Sequence, residues 1–228
     1  MKLLVYGIVS SAACDIDLPE AISGRKVRLS RADDLAAAVS EVPDAPSIKA
    51  EEAMAFAAVV EWFHERCRAL IPVRFPCVLD GQEQIVDVLR RNAEAYRRML
   101  VELEQTCEIG LRLMREVGPQ EFSGRDSSVT SGTAWLEARR DHYRQSALNQ
   151  SELERIENEL KSRFAGMYLR TSRESTPEMQ SMYFLVSREQ AESFLERAAH
   201  THLPGNKILV SGPWPPYNFV NAPVVGSG

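Results

Sequence analysis

Apolar and polar positions along this chain recur with periods that assign most of its elements. Leu3 to Val9, rich in β-branched and aromatic residues, predicts a strand, and Val27 to Leu29 predicts a short second one. Ala32 to Val39 follows as a helix, with Ser30 as its cap and Asp33 three residues on. After the breaker Pro43-Asp44-Ala45-Pro46-Ser47, the residues Phe56, Val60, Phe63, Cys67 and Leu70 recur at helical spacing from Lys49 to Leu70, and Pro72 ends that helix. Val73, Phe75, Cys77 and Leu79 then alternate with Arg74, Pro76 and Val78. A proline cannot donate to a ladder, so Pro72 and Pro76 mark this as an edge strand or one with irregular pairing.

A second amphipathic helix runs from Gln82 to Glu104 on Ile85, Val88, Leu89, Tyr96, Met99, Leu100 and Leu103. Cys107, Ile109, Leu111 and Leu113 alternate with Glu108, Gly110 and Arg112 as a half-buried strand. Gly118 to Gly132 reads as a loop or hinge, followed by a helical stretch from Thr133 to Ala165 without proline or internal glycine. At 1.5 Å per residue this stretch would reach about 50 Å if straight, so it projects or folds back near Asn149-Gln150-Ser151. Leu153, Ile156, Leu160 and Phe164 give it a narrow apolar stripe, and Glu157 with Lys161 and Glu159 with Arg163 are i,i+4 pairs. Gly166 stops it. Met167 to Leu169 and Met182 to Val186 are strands, Ser187 with Gln190 has the form of a capping box for a helix carrying Phe194, Leu195 and Ala198, and Lys207 to Val210 is the last strand.

This order predicts an α+β chain of two domains. Each is a small mixed or antiparallel sheet with helices, a ferredoxin-like variant, and the second holds the long helix or helical hairpin. The expected boundaries are 1–117 for the first domain, 118–132 for a hinge, 133–210 for the second domain and 211–228 for an apolar tail.

Composition narrows the function classes. With 44% hydrophobic and 26% charged residues over 228 positions, the chain can bury a substantial core and is neither low-complexity nor disordered. A net charge of −5 without a basic block argues against nucleic acid or an anionic lipid surface as the main partner. The longest apolar stretch, Ala53 to Val60, is too short to span a membrane, and the start lacks a signal peptide's apolar core, which predicts a cytoplasmic protein. Cys14, Cys67, Cys77 and Cys107 form no C-x-x-C pair and read as small apolar residues. Dinucleotide, P-loop, nucleophile-elbow and H-E-x-x-H motifs are missing. His200 and His202 lie about 200° apart on a helix and cannot share a metal there. Asp15 and Asp17 beside Cys14 belong to a solvated turn before they belong to a cation site. No catalytic residue, metal or cofactor is expected.

The tail is the informative region. From Pro204 to Gly228 there are 25 residues with one charge, Lys207, and five of the chain's 12 prolines. Three prolines in Ser211-Gly212-Pro213-Trp214-Pro215-Pro216-Tyr217-Asn218-Phe219 favour an extended, stiff backbone from which the rings project at low ordering cost. So apolar a segment is either docked as a crossing over an open sheet edge or reserved for a partner.

This nine-residue segment resembles the C-terminal signature of the gas vesicle protein F and L family. Leu4-Val5-Tyr6-Gly7-Ile8-Val9 and Leu70-Ile71-Pro72-Val73-Arg74-Phe75 are similar to that family's other two recurrent segments, in the expected order, so the resemblance covers nearly the whole chain. Pro76 stands where the family often has a small residue. The resemblance implies two α+β domains with long helices in the second, no enzymatic activity, and a role as an assembly factor or minor structural component of gas vesicles. Its implied partners are the small, hydrophobic major shell protein and other accessory vesicle proteins. The partner-binding candidates are Arg74, Phe75, Trp214, Pro215, Pro216, Tyr217 and Phe219. On its strand face Arg74 needs a carboxylate or carbonyl partner, which points to a structural role. Two other classes compete: a small-molecule-binding regulatory protein of ferredoxin-like architecture, and an enzyme using scattered carboxylates.

Overall fold

The computed structural model of the chain describes residues 2–13, 18–19, 25–43, 49–115, 150–176 and 179–221. The chain divides into two compact units, Met1–Glu108 with Pro213–Gly228, and Ile109–Gly212. In the first, strands β1 (Lys2–Ser10), β2 (Arg28–Ala32), β3 (Leu35–Val42), β4 (Ile71–Pro72) and β5 (Val78–Leu79) form one sheet in the order β2-β3-β1-β4, with β5 also on β1. Helices α1 (Ala50–Arg66), α2 (Gly81–Arg91) and α3 (Ala93–Glu102) accompany it. The second sheet contains β6 (Thr106–Arg115), β7 (Arg170–Thr176), β8 (Met179–Ser187) and β9 (Asn206–Trp214) in the order β7-β8-β6-β9, with α4 (Gln150–Arg163) and α5 (Ala191–Ala199). The succession β6, α4, β7, β8, α5, β9 in that order is the split βαβ arrangement expected of an α+β chain.

Each core follows from the apolar stripes. Phe56, Val60, Phe63 and Cys67 of the α1 region meet Leu4, Tyr6, Val9, Ala36 and Ala38 of the sheet. The Tyr6 ring stacks 4.8 Å from Phe56, and its hydroxyl shares a hydrogen bond of 2.9 Å with Ser40 Oγ. In the second unit Phe164, Phe184 and Phe194 form a buried aromatic group, with the rings of Phe164 and Phe194 4.3 Å apart. Lys161 pairs with Glu157 and Arg163 with Glu159, both at 2.6 Å, along α4.

Several local expectations are overturned. Ala32 to Val39 is not a helix. Leu35–Val42 pairs antiparallel with both β1 and β2, while Ser30, read as a cap, lies in β2 opposite Ala37. The two-residue turn Asp33-Asp34 puts Asp33 at φ 55°, a conformation that aspartate tolerates, and Arg97 of α3 donates two hydrogen bonds to the Asp34 carboxylate. Two-sided strand pairing thus overrides the helix propensity of three alanines, whose small side chains suit the buried centre of the sheet.

Helix α1 ends at Arg66, well before Pro72, which belongs to β4. Val73 to Leu79 is not one strand: β4 and β5 are two-residue pieces pairing separately with β1, and the Phe75–Pro76 peptide between them is cis. The helix expected from Gln82 to Glu104 breaks at Asn92, whose side-chain amide turns back to donate to the Val88 carbonyl at 3.0 Å. Residues 167–169 form no strand. The strand is β7, whose sequence Arg-Thr-Ser-Arg-Glu-Ser-Thr has no apolar alternation. Ser187 makes no capping bond, and a short 3-10 turn, Arg188–Gln190, precedes α5. The hinge, the first half of the long helix, Cys14, Asp15 and Asp17 lie outside the described residues.

Gly7 sits at the register shift of β1 against β3. A Cβ there would stand 2.6 Å from Leu70 Cδ1 and 2.9 Å from the Ile71 carbonyl oxygen, and the latter is backbone that cannot step aside. Gly7→Ala is therefore expected to cost about 1–3 kcal/mol in urea unfolding, by overpacking where β4 meets β1. An unchanged midpoint would show that β4 moves away freely.

Candidate functional site

Beyond β9 the chain runs through Pro215 and Pro216 into a one-turn 3-10 helix, Tyr217–Phe219. Prolines cannot extend a ladder, and Pro216, at φ −79° and ψ 60°, bends the backbone into the turn. The extended path therefore ends at the second proline of the motif's Pro-Pro pair. Tyr217 N–H donates to the Pro215 carbonyl at 2.8 Å and Phe219 N–H to the Pro216 carbonyl at 3.2 Å. Pro215 and Pro216 are buried, and Phe219 is 2% exposed.

A buried carboxylate holds the turn. Glu108, on β6, is 4% exposed. Its Oε2 accepts the backbone N–H of Asn218 at 2.8 Å and its Oε1 accepts the Asn218 side-chain N–H at 2.6 Å. The opposite end of that amide faces a cation, since Arg74 Nη2 donates to Asn218 Oδ1 at 2.9 Å. The amide thus lies between guanidinium and carboxylate, and both partners fix its orientation. Burial pushes the Glu108 carboxyl above the ordinary carboxylate range, against the opposing pull of the two Asn218 bonds and the Arg74 charge.

The other expected partner-binding residues fall into two groups. Phe75 is half-buried, its ring 5.1 Å from that of Phe56, and Tyr217 is half-buried against the same core. Burial, with the negative charge of Glu61, pushes the Tyr217 hydroxyl up, so it is a neutral donor at any physiological pH. Trp214 is 43% exposed and Arg74 is exposed. Pro215, Pro216 and Phe219 are buried. Glu108 and Asn218 were missed as members of this cluster. Asn218 stood in the tail motif between two aromatic residues, whereas nothing in the alternation of β6 marked Glu108 as buried.

Among the described residues no three His, Cys, Asp or Glu side chains gather to hold a metal ion. Cys67, Cys77 and Cys107 are buried, and burial pushes the Cys77 thiol up to about 11, away from a reactive thiolate. No helix of the described residues is long and apolar enough to cross a membrane. What the cluster supplies is a clamped, partly exposed aromatic and cationic surface.

A family model described as gas vesicle synthesis protein GvpL/GvpF matches residues 2–221. The chain belongs to this family. Membership assigns it to gas vesicle formation. It is 21% identical over 225 residues to gas vesicle protein F1 of Halobacterium salinarum, covering 96% of this chain and 93% of that protein. Its fold is similar to the crystal structure of GvpF from Anabaena, with a TM-score of 0.72 at 16% identity over 97% of this chain and 96% of that one. GvpF from Microcystis aeruginosa gives the same TM-score and identity over 97% of this chain and 99% of that one. The two-domain α+β class is thus common to this chain and those GvpF structures. The family is one of gas vesicle proteins and is not known for enzymes.

Proposed function

We propose that this chain is a cytoplasmic assembly factor or minor structural component of gas vesicles, which binds the hydrophobic major shell protein and works beside other accessory vesicle proteins. The observation that carries this is the state of the tail motif. Pro215, Pro216, Asn218 and Phe219 are pinned, yet Trp214, the last residue of β9, keeps 43% of its surface in solvent. A large ring carried on a pinned backbone has less entropy to lose on binding, and tryptophan is a common interface anchor. A shell subunit with exposed apolar segments before assembly needs such cover to avoid aggregation.

The test is co-expression with the major shell protein. Trp214→Ala is expected to leave circular dichroism unchanged and the melting temperature within about 4 °C of wild type, while reducing the soluble, co-purifying shell protein at least ten-fold. A collapse in melting temperature with capture retained by the folded fraction would make Trp214 a core anchor instead. A wild-type chain that captures no shell protein would reject the reading.

A further inference from the structure

An edge strand offers a row of unpaired backbone groups, and proteins blunt such rows with charges, prolines or very short strands. Among the described strands, three of the four sheet edges are blunted in this way. β2 carries Arg28 and Arg31, and β7 carries Arg170, Arg173 and Glu174. The edge formed by β4 and β5 consists of two-residue pieces separated by a stretch containing Pro76, with Pro72 inside β4. The fourth edge, β9, is different. From Ile208 to Gly212 it reads Ile-Leu-Val-Ser-Gly, without charge or proline, and Lys207 is the only charge in the whole strand. Among the described strands β9 pairs only with β6, and its residues alternate between half-buried and exposed, with Leu209 39% exposed.

We infer that the free edge of β9, over Lys207–Gly212, is a receptor for an extended apolar segment of the shell subunit, added as a fifth strand of the second sheet. This rests on the shell-protein reading above and assigns it a second, separate contact. Backbone pairing would supply the affinity, and the side chains that flank the edge would set the selectivity. Ile208 and Val210 lie to one side of the strand and Leu209, between Lys207 and Ser211, to the other, so the occupant must be apolar where it meets Ile208, Leu209 and Val210. The only charge along the edge is Lys207, which calls for an acidic residue at the end of the segment that meets it. A second copy of this chain fits less well. Six paired residues make a strip about 20 Å long and roughly 10 Å wide, burying on the order of 400 Å² in total, below the roughly 1,200 Å² of a stable association between folded bodies. A flexible segment escapes that limit because its side chains can fold over both faces of the sheet.

Co-expression with the shell protein again supplies the test. Leu209→Lys installs the charge that the other edges carry, at an exposed position, and is expected to reduce shell protein captured at least ten-fold with an unchanged melting temperature. Leu209→Ile should retain capture, and Ser172→Lys on the already charged β7 edge should leave it intact. Independently, hydrogen exchange of the wild-type complex should slow at least ten-fold at β9 amides relative to the free chain. Capture by Leu209→Lys equal to wild type, or protection that appears elsewhere and omits β9, would overturn the strand-addition site while leaving the shell-protein reading in place. No capture by the wild-type chain would overturn both. If Leu209→Lys does not fold, the exchange measurement decides alone.

Discussion

Phe219→Ala is expected to lower folding stability by about 3–5 kcal/mol, as other buried phenylalanine truncations do when the site cannot collapse. Phe219 is 2% exposed and sits one residue beyond Asn218, so its ring and the Glu108 bonds fix the same short turn from two sides. Neither neighbour can close the gap, because the Pro215 and Pro216 backbones are rigid and Asn218 is clamped. Urea unfolding should show a lower midpoint, with the slope preserved if the native state stays compact. The same measurement on Trp214→Ala should show a loss under about 1 kcal/mol, since nearly half of that ring is already in water. Equal losses for the two variants would contradict the division of this motif into inward anchors and an outward contact.

That division could not be read from the chain alone. Nine residues rich in proline and aromatic rings announce a rigid apolar segment, but both outcomes, docking and partner binding, demand the same composition. What separates Trp214 from Phe219 is the turn after Pro216, which sends successive rings in different directions. Glu108 shows the opposite failure. Alternation in β6 placed it on the polar face, and the strand is as expected, but the tail returns across that face and removes the carboxylate from water. Long-range closure of this kind, 110 residues apart, leaves no local trace.

Local misreadings have local causes. The alanines of β3 satisfied a helical pattern because Ala is the best helix former, and only pairing on both edges explains why they are extended. β7 was invisible because a strand of charged and hydroxyl side chains has no hydrophobic period. By contrast β1, α1, β6, β8 and α5 were legible, since their apolar residues fall in the strand runs and helical stripes that are buried. The polar identity of β7 and the apolar identity of β9 are also what distinguish the two edges of one sheet. Strand-by-strand composition therefore separates a charged edge from an apolar one even where it fails to announce secondary structure.

Glu108→Ala is expected to cost about 2–4 kcal/mol, because two donors of Asn218 lose their acceptor in a largely dry site and Arg74 loses a favourable opposing charge. Glu108→Gln keeps the shape but cannot replace both bonds. Its amide oxygen accepts one Asn218 donor while its NH₂ is turned against the other, and inverting Asn218 to relieve this would set an NH₂ against Arg74. The three-part arrangement therefore favours an anion at position 108, and burial works against it. The pH response has a definite sign. Folding holds the Glu108 carboxyl above its ordinary value, so the folded chain keeps a proton that the unfolded chain has released. This group's contribution to stability is fully present below the ordinary carboxylate range and declines as pH rises from about 4.5 through the raised folded value. Glu108→Gln should flatten that part of the stability profile, whatever its cost at neutral pH. A steeper rise of stability with pH in the wild-type chain than in Glu108→Gln would mean that the two Asn218 bonds and Arg74 outweigh burial, and that the carboxyl is depressed.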